Sequence, residues 1–170
     1  FCLIYPIIYL MTEATIIRHS ISAYPDDALT NYGVQYAQKR AKQFKGFNTA
    51  ITSGKRRAQQ TVQALGYRQY ATDSRFNELE LSQVNAPSPH EYVMQSHQQF
   101  PSLVAATAGV LIEGLVAVAN ENEGKLLIVS HNLALSALMK ALTGEVESFD
   151  YLEGLLLNIS SGRISVAGRV

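Results

Sequence analysis

The feature that most constrains the fold is the run KLLIVS at residues 125–130, where four apolar residues follow one another without a polar break. A strand with one wet face would alternate. A continuous apolar run of this length reads as a strand buried on both faces, the habit of parallel sheets covered by helices on either side. The segments around it fit that demand. Residues 14–17 (ATII) and 49–52 (TAIT) read as strands, and 69–72 (QYAT) as a weaker one.

Helical spacing fills the intervals. Thr30 caps a helix carrying Val34, Ala37, Ala41 and Phe44, which Gly46 ends. A second helix has Ala58, Thr61, Val62 and Leu65 on one face and closes at Gly66. Between prolines 87, 89 and 101 lies a short helix over residues 90–100. A long apolar helix follows, with Leu103, Thr107, Val110, Leu111, Leu115 and Val118 on its broad inner face. After residue 130 a helix runs through Leu135, Leu138, Met139 and Leu142 to Gly144. Residues 155–160 and 163–168 pair as a hairpin around Ser161 and Gly162. Strands alternating with helices give the α/β class, as a three-layer α/β/α sandwich with a mostly parallel central sheet.

Composition narrows the function. With 47% hydrophobic and 16% charged residues the chain is globular, and its 170 residues are most simply one domain, taken as residues 11–170. Lysine plus arginine equals aspartate plus glutamate at 14 each, so nothing electrostatic calls for a nucleic acid or a membrane as partner. The one cysteine, Cys2, excludes an internal disulfide and agrees with a reducing, cytoplasmic setting. Residues 1–10 (FCLIYPIIYL) are too short to span a bilayer and lack a signal peptide's basic start and cleavage site. Met11 is a plausible true start, and residues 1–10 are expected to be a non-native or disordered extension, with an extra edge strand as the alternative.

In open parallel sheets ligands bind beyond the carboxyl ends of the strands. Three strands here break off into polar clusters: Arg18-His19-Ser20, Ser53-Gly54-Lys55-Arg56-Arg57 and Ser130-His131-Asn132. Brought together, they would make a small cationic pocket in a neutral protein. Two of the clusters also open helices, whose first N–H groups are free for an anion. A phosphoryl group, whose oxygens match the forked donors of arginine, is the ligand such a pocket suits. His90 and His97 have no carboxylate or cysteine partners at ligand spacing, so they are read as surface residues and no metal site is expected.

These segments resemble the histidine phosphatase (phosphoglycerate mutase-like) superfamily. IIRHS (16–20) is similar to its Arg-His-Gly motif, and LTNYGVQYAQ (29–38) to its Leu-Thr-x-x-Gly segment. TSGKRRAQQTVQAL (52–65) resembles its Ser-x-x-x-Arg-Ala-x-Gln-Thr pattern, and LLIVSHN (126–132) its second-histidine motif. The resemblance runs in order from Ala14 to Leu142. It implies a phosphoglycerate mutase-like fold and a metal-independent, cofactor-free phosphatase. His19 would attack phosphorus and become a phosphohistidine, and Arg18, Arg57, His131 and Asn132 would hold the phosphate. Arg57 is chosen over Arg56 because it sits four residues after Ser53 and precedes Ala58. The acid is taken as Glu78, from the apolar-x-Glu spacing of Phe76 and Glu78, with Glu80 as the alternative.

The resemblance implies as partner a small phosphorylated substrate or a phosphoprotein. Ser20 stands where the family has glycine, and the family's Gly-x-Trp-Glu-Gly signature is absent, which argues against the sugar-phosphate mutases. The short segment after Glu78 points to an open pocket, as in small phosphatases. A catalytically weak phosphate-binding or regulatory domain of the same fold is the second reading.

Overall fold

The computed structural model describes residues 11–23 and 26–170, so the expectation for residues 1–10 lies outside the described residues. The first strand, β1 (Thr12–Arg18), leads into the two-residue strands β2 (Ser22–Ala23) and β3 (Ala28–Leu29), which pair as a small ribbon. Helix α1 (Asn31–Arg40) starts where Thr30 accepts the Gly33 N–H, and it ends in a 3-10 turn at Ala41–Phe44. Strand β4 (Thr49–Thr52), helix α2 (Arg56–Ala64) and the short β5 (Ala71–Thr72) follow. Two further helices come in succession, α3 (Pro89–Gln99) and α4 (Pro101–Glu121). Strand β6 (Lys125–Ser130), helix α5 (Asn132–Thr143) and the hairpin β7 (Gly154–Ser160) and β8 (Arg163–Arg169) complete the chain.

The sheet has six strands in the order β5-β4-β6-β1-β7-β8. Pairing is parallel from β5 through β1 and antiparallel at β1–β7 and β7–β8. The apolar run expected to be buried on both sides is so. Leu126 and Ile128 join Ala14 and Ile16 under α4 and α5, while Leu127 and Val129 join Ile17 under α1 and α2. Successive side chains thus feed opposite layers, as the two-residue period of a strand requires. At the hairpin, Ser161 and Gly162 both take positive φ, the backbone twist that suits a two-residue turn.

Helix α4 departs from the expected face. Its buried stripe is Val104, Ala108, Leu111, Leu115 and Val118, whereas Leu103 and Val110 are 49% and 45% exposed. Leu, Val and Ala surround this helix on every side, so its sequence carries little polar contrast to say which side faces inward. His97 also departs: it is buried in α3 and its Nε2 lies 2.9 Å from the Ser136 hydroxyl on α5. Its spacing from other residue types is silent about burial.

Candidate active site

The site lies at the carboxyl ends of β4, β6 and β1, which are neighbours. Backbone hydrogen bonds carry the sheet past the last strand residues. His19 N–H donates to Ser130 O at 2.9 Å and Ser53 N–H to Val129 O at 3.0 Å. The three polar clusters are therefore locked side by side. The rings of His19 and His131 stand 5.1 Å apart at an angle of 61°.

His19 is buried, and its Nδ1 lies 2.6 Å from the Ser20 carbonyl oxygen. A carbonyl can only accept, so Nδ1 carries the proton and Nε2 keeps its lone pair. That lone pair accepts the Nε–H of Arg57 at 3.0 Å. Burial pushes the His19 pKa down to about 3; the Ser20 bond opposes this, and the charges of Arg57 and Arg18 reinforce it. The imidazole is neutral over the physiological range, with its unprotonated nitrogen turned to Arg57.

His131 is wholly buried, with Nε2 2.7 Å from the Ser53 hydroxyl. That hydroxyl accepts the Lys55 N–H at 3.3 Å and has its own proton to give to Nε2. The other ring nitrogen, Nδ1, is buried, has no hydrogen-bond partner among the described residues, and lies 3.7 Å from Glu78 Oε2, an acceptor that favours the proton on this side of the ring. Burial, then the charges of His19 and Arg57, holds the His131 pKa well below its ordinary value. An N–H donor buried without a partner is costly unless a ligand meets it.

Arg57, near the start of α2, has every guanidinium nitrogen engaged. Nε meets His19, Nη1 pairs with Asp27 and Nη2 with Glu78. Glu78 follows the 3-10 turn Ser74–Phe76, which the sheet holds by a 2.8 Å bond from the Ser130 hydroxyl to Phe76 O. Burial raises the Glu78 pKa, against the pull of Arg57 and Arg18. Glu80 sits apart, with its side chain 64% exposed and paired to Lys55. Arg18 is buried, donates Nη1–H to Phe149 O at 2.7 Å and lies 4.1 Å below the ring of Tyr151.

His19, Arg57, Glu78 and His131 thus converge, with Arg18 adjoining. Asn132 opens α5, but its side chain is turned to the following loop: Nδ2 donates to the Ser148 hydroxyl at 2.9 Å and Oδ1 accepts the Phe149 N–H at 2.7 Å. The Ser20 hydroxyl points away from the pocket and donates to Gly33 O at 2.7 Å, while its N–H donates to Thr61. Gly33 lies so close to this loop that a Cβ there would collide with the carbonyl oxygen of Ile21.

Sequence reasoning missed Asp27 and the segment 149–153. Asp27 stands in the loop after His19, where no motif marks it. It accepts the Arg56 N–H at 2.7 Å and so caps α2 from a distance. In the later segment Leu152 takes the left-handed conformation, at φ 64°, without being glycine. No composition signal announces that.

Residues 13–167 match the family model of the histidine phosphatase superfamily (branch 1). Among solved structures the chain is similar to Bacillus stearothermophilus YhfR, with a TM-score of 0.71 and 21% identity over 92% of this chain and 95% of that one. It is similar to Entamoeba histolytica phosphoserine phosphatase in complex with 3-phosphoglyceric acid, at TM-score 0.70 and 17% identity over 93% and 96% of the two chains. A phosphoglycerate mutase from Bacillus anthracis gives 0.69 and 16% over 94% and 93%. No curated protein matches the chain.

Proposed function

The chain belongs to the histidine phosphatase superfamily, and on that premise we propose that it hydrolyses phosphomonoesters, or phosphohistidine, through a phosphohistidine formed on His19. One observation carries the reading: a neutral imidazole keeps its Nε2 unprotonated, met by the Arg57 Nε–H, with its ring 5.1 Å from that of His131, whose buried Nδ1 has no hydrogen-bond partner among the described residues.

The His19 Nε2 lone pair attacks phosphorus as the bond to the leaving oxygen breaks. For that, Arg57 transfers its Nε–H from His19 to a phosphate oxygen. Arg18, Arg57 and His131 Nδ1–H hold the three equatorial oxygens as charge spreads over them. Glu78, whose burial favours the protonated form, gives its proton to the leaving oxygen. Its carboxylate then takes a proton from water as that water attacks the phosphohistidine. Inorganic phosphate leaves, and both His19 and Glu78 return to their starting protonation.

The test is turnover of p-nitrophenyl phosphate in the presence of a chelator, comparing wild type with His19→Ala. Metal-independent turnover that the substitution abolishes, with an acid-labile phosphoenzyme trapped only in wild type, is expected. Phosphate-dependent thermal stabilisation with no turnover would instead make the chain a phosphate-binding domain of the same fold.

A further inference from the structure

Arg18 is held by a segment that no phosphate-binding motif includes. Its N–H donates to Glu153 O at 2.8 Å, its carbonyl accepts the Leu152 N–H at 3.2 Å, and its Nη1–H reaches Phe149 O. Leu152, buried and left-handed, closes the turn between these contacts. A left-handed non-glycine residue is strained and persists where its surroundings enforce it. What the turn presents is the ring of Tyr151, 4.1 Å over the guanidinium carbon of Arg18 and 6.2 Å from the His19 ring. The Nε of Arg18 is buried with no partner among the described residues.

We propose that Tyr151 is a positioning residue: its ring fixes the plane of the Arg18 guanidinium so that the free edge of the fork faces the phosphate. This deepens the phosphatase reading and rests on it for the identity of the ligand. An arginine side chain has four torsions, and a single hydrogen bond at Nη1 leaves the plane free to rotate about that contact. A ring 4.1 Å over the guanidinium carbon closes one face of the group and restricts that rotation, so that donation runs edgewise. The ring's negative face also offsets some of the charge left by burying Arg18, without supplying an acceptor that would compete with phosphate. A carboxylate in the same place would do both.

The experiment measures binding of inorganic phosphate by calorimetry, together with p-nitrophenyl phosphate turnover and thermal unfolding. Its variants are Tyr151→Phe, Tyr151→Leu and Tyr151→Met, the last as a flexible apolar filler should leucine disturb the turn. Loss of the stack in the leucine or methionine variant is expected to weaken phosphate binding about tenfold. The phenylalanine variant keeps the ring and is expected to restore binding to within about twofold. In an Arg18→Ala background, Tyr151→Leu should have almost no further effect on binding, since the two residues act as one unit.

Equal losses in the phenylalanine and leucine variants would overturn the proposal, as would a leucine effect undiminished without Arg18. A wild type that binds phosphate but turns nothing over would defeat the phosphatase reading. The binding comparison would still decide the role of Tyr151.

Discussion

The two arginines of the pocket carry the same charge towards the same ligand, but opposite kinds of neighbour hold them. Arg18 is buried and held by contacts that carry no formal charge, a backbone carbonyl, an aromatic face and the hydrogen bonds of the sheet, with Glu78 and Asp150 acting on it only through space. Arg57 is held by ionisable side chains, the carboxylates of Asp27 and Glu78 and the imidazole of His19. The contacts that clamp Arg18 are a carbonyl and a ring rather than carboxylates. The hold on Arg57 changes whenever the charge of Glu78 does. One arginine is a fixed wall, and the other belongs to the proton chemistry.

The strongest way to break the contrast is from the fixed side. Gly154 opens β7 directly after the clamp, and a Cβ there would collide with Ile16 O and stand 2.7 Å from Ile17 Cα. Both are backbone atoms of the central strand and cannot swing aside. Gly154→Ala is expected to cost on the order of 3 kcal/mol or more in urea unfolding, with loss of phosphate binding. An unchanged midpoint would mean that β1 and β7 part easily and that Arg18 is less fixed than drawn.

Next in size is removal of Arg57. Arg57→Ala should lower kcat by a factor on the order of 100 or more, the scale of losing a donor to developing charge. Arg57→Lys should recover little, because a single ammonium cannot reach His19, Asp27 and Glu78 from one stem. Full rescue by lysine would show that only charge, not the fork, is used.

Glu78→Gln separates the acid from the anchor. Glutamine can still meet Arg57 but cannot donate a proton to the leaving oxygen. Hydrolysis of an alkyl phosphate should slow by about 100-fold, and that of p-nitrophenyl phosphate far less. The pH profile supplies the sign. The first step needs protonated Glu78, so the rate of alkyl phosphate hydrolysis falls as pH rises through its raised pKa, and this limb should vanish in the glutamine variant. A neutral His19 with a pKa near 3 adds no limb between that value and neutrality. Equal slowing of both substrates would remove Glu78 from the role.

The smallest effect is expected at Asp27, whose side chain is 39% exposed and whose ion pair is partly screened. Asp27→Asn keeps an acceptor for the Arg56 N–H and leaves Glu78 on Arg57. A change in kcat/KM within about fivefold, shrinking further at high salt, is the expected result. A loss as large as that of Arg57→Ala would show that this carboxylate dominates the placement of the guanidinium.

How far the sequence carried this picture follows the same division. Strand β6 was legible because a continuous apolar run has few other uses, and the strand ends were legible because charge beside such a run is conspicuous. Both histidines and Arg57 lie on those ends. The inner side of α4 was not legible: Leu103 and Val110 are as apolar as Val104 and Leu111, and only packing against the sheet distinguishes them. His97 escaped for a related reason, since a buried histidine bonded to a serine on another helix leaves no local trace. The Arg18 clamp was invisible because it is made largely of backbone groups, and Leu152 adopts a conformation its side chain does not advertise. Asp27 reads as one more acidic loop residue until Arg57 is placed beside it.

The amide of His19 is a rung of the sheet, bonded to Ser130 O beyond the last paired residues of β1 and β6. Amides of central strands exchange with solvent only when the whole domain opens, whereas binding loops exchange through small local fluctuations. In hydrogen–deuterium exchange the His19 amide should therefore follow the slow amides of Ile16 and Ile128, while the rim around Asp27 exchanges early. The reacting centre would then be as long-lived as the core, and softening it would mean unfolding the protein.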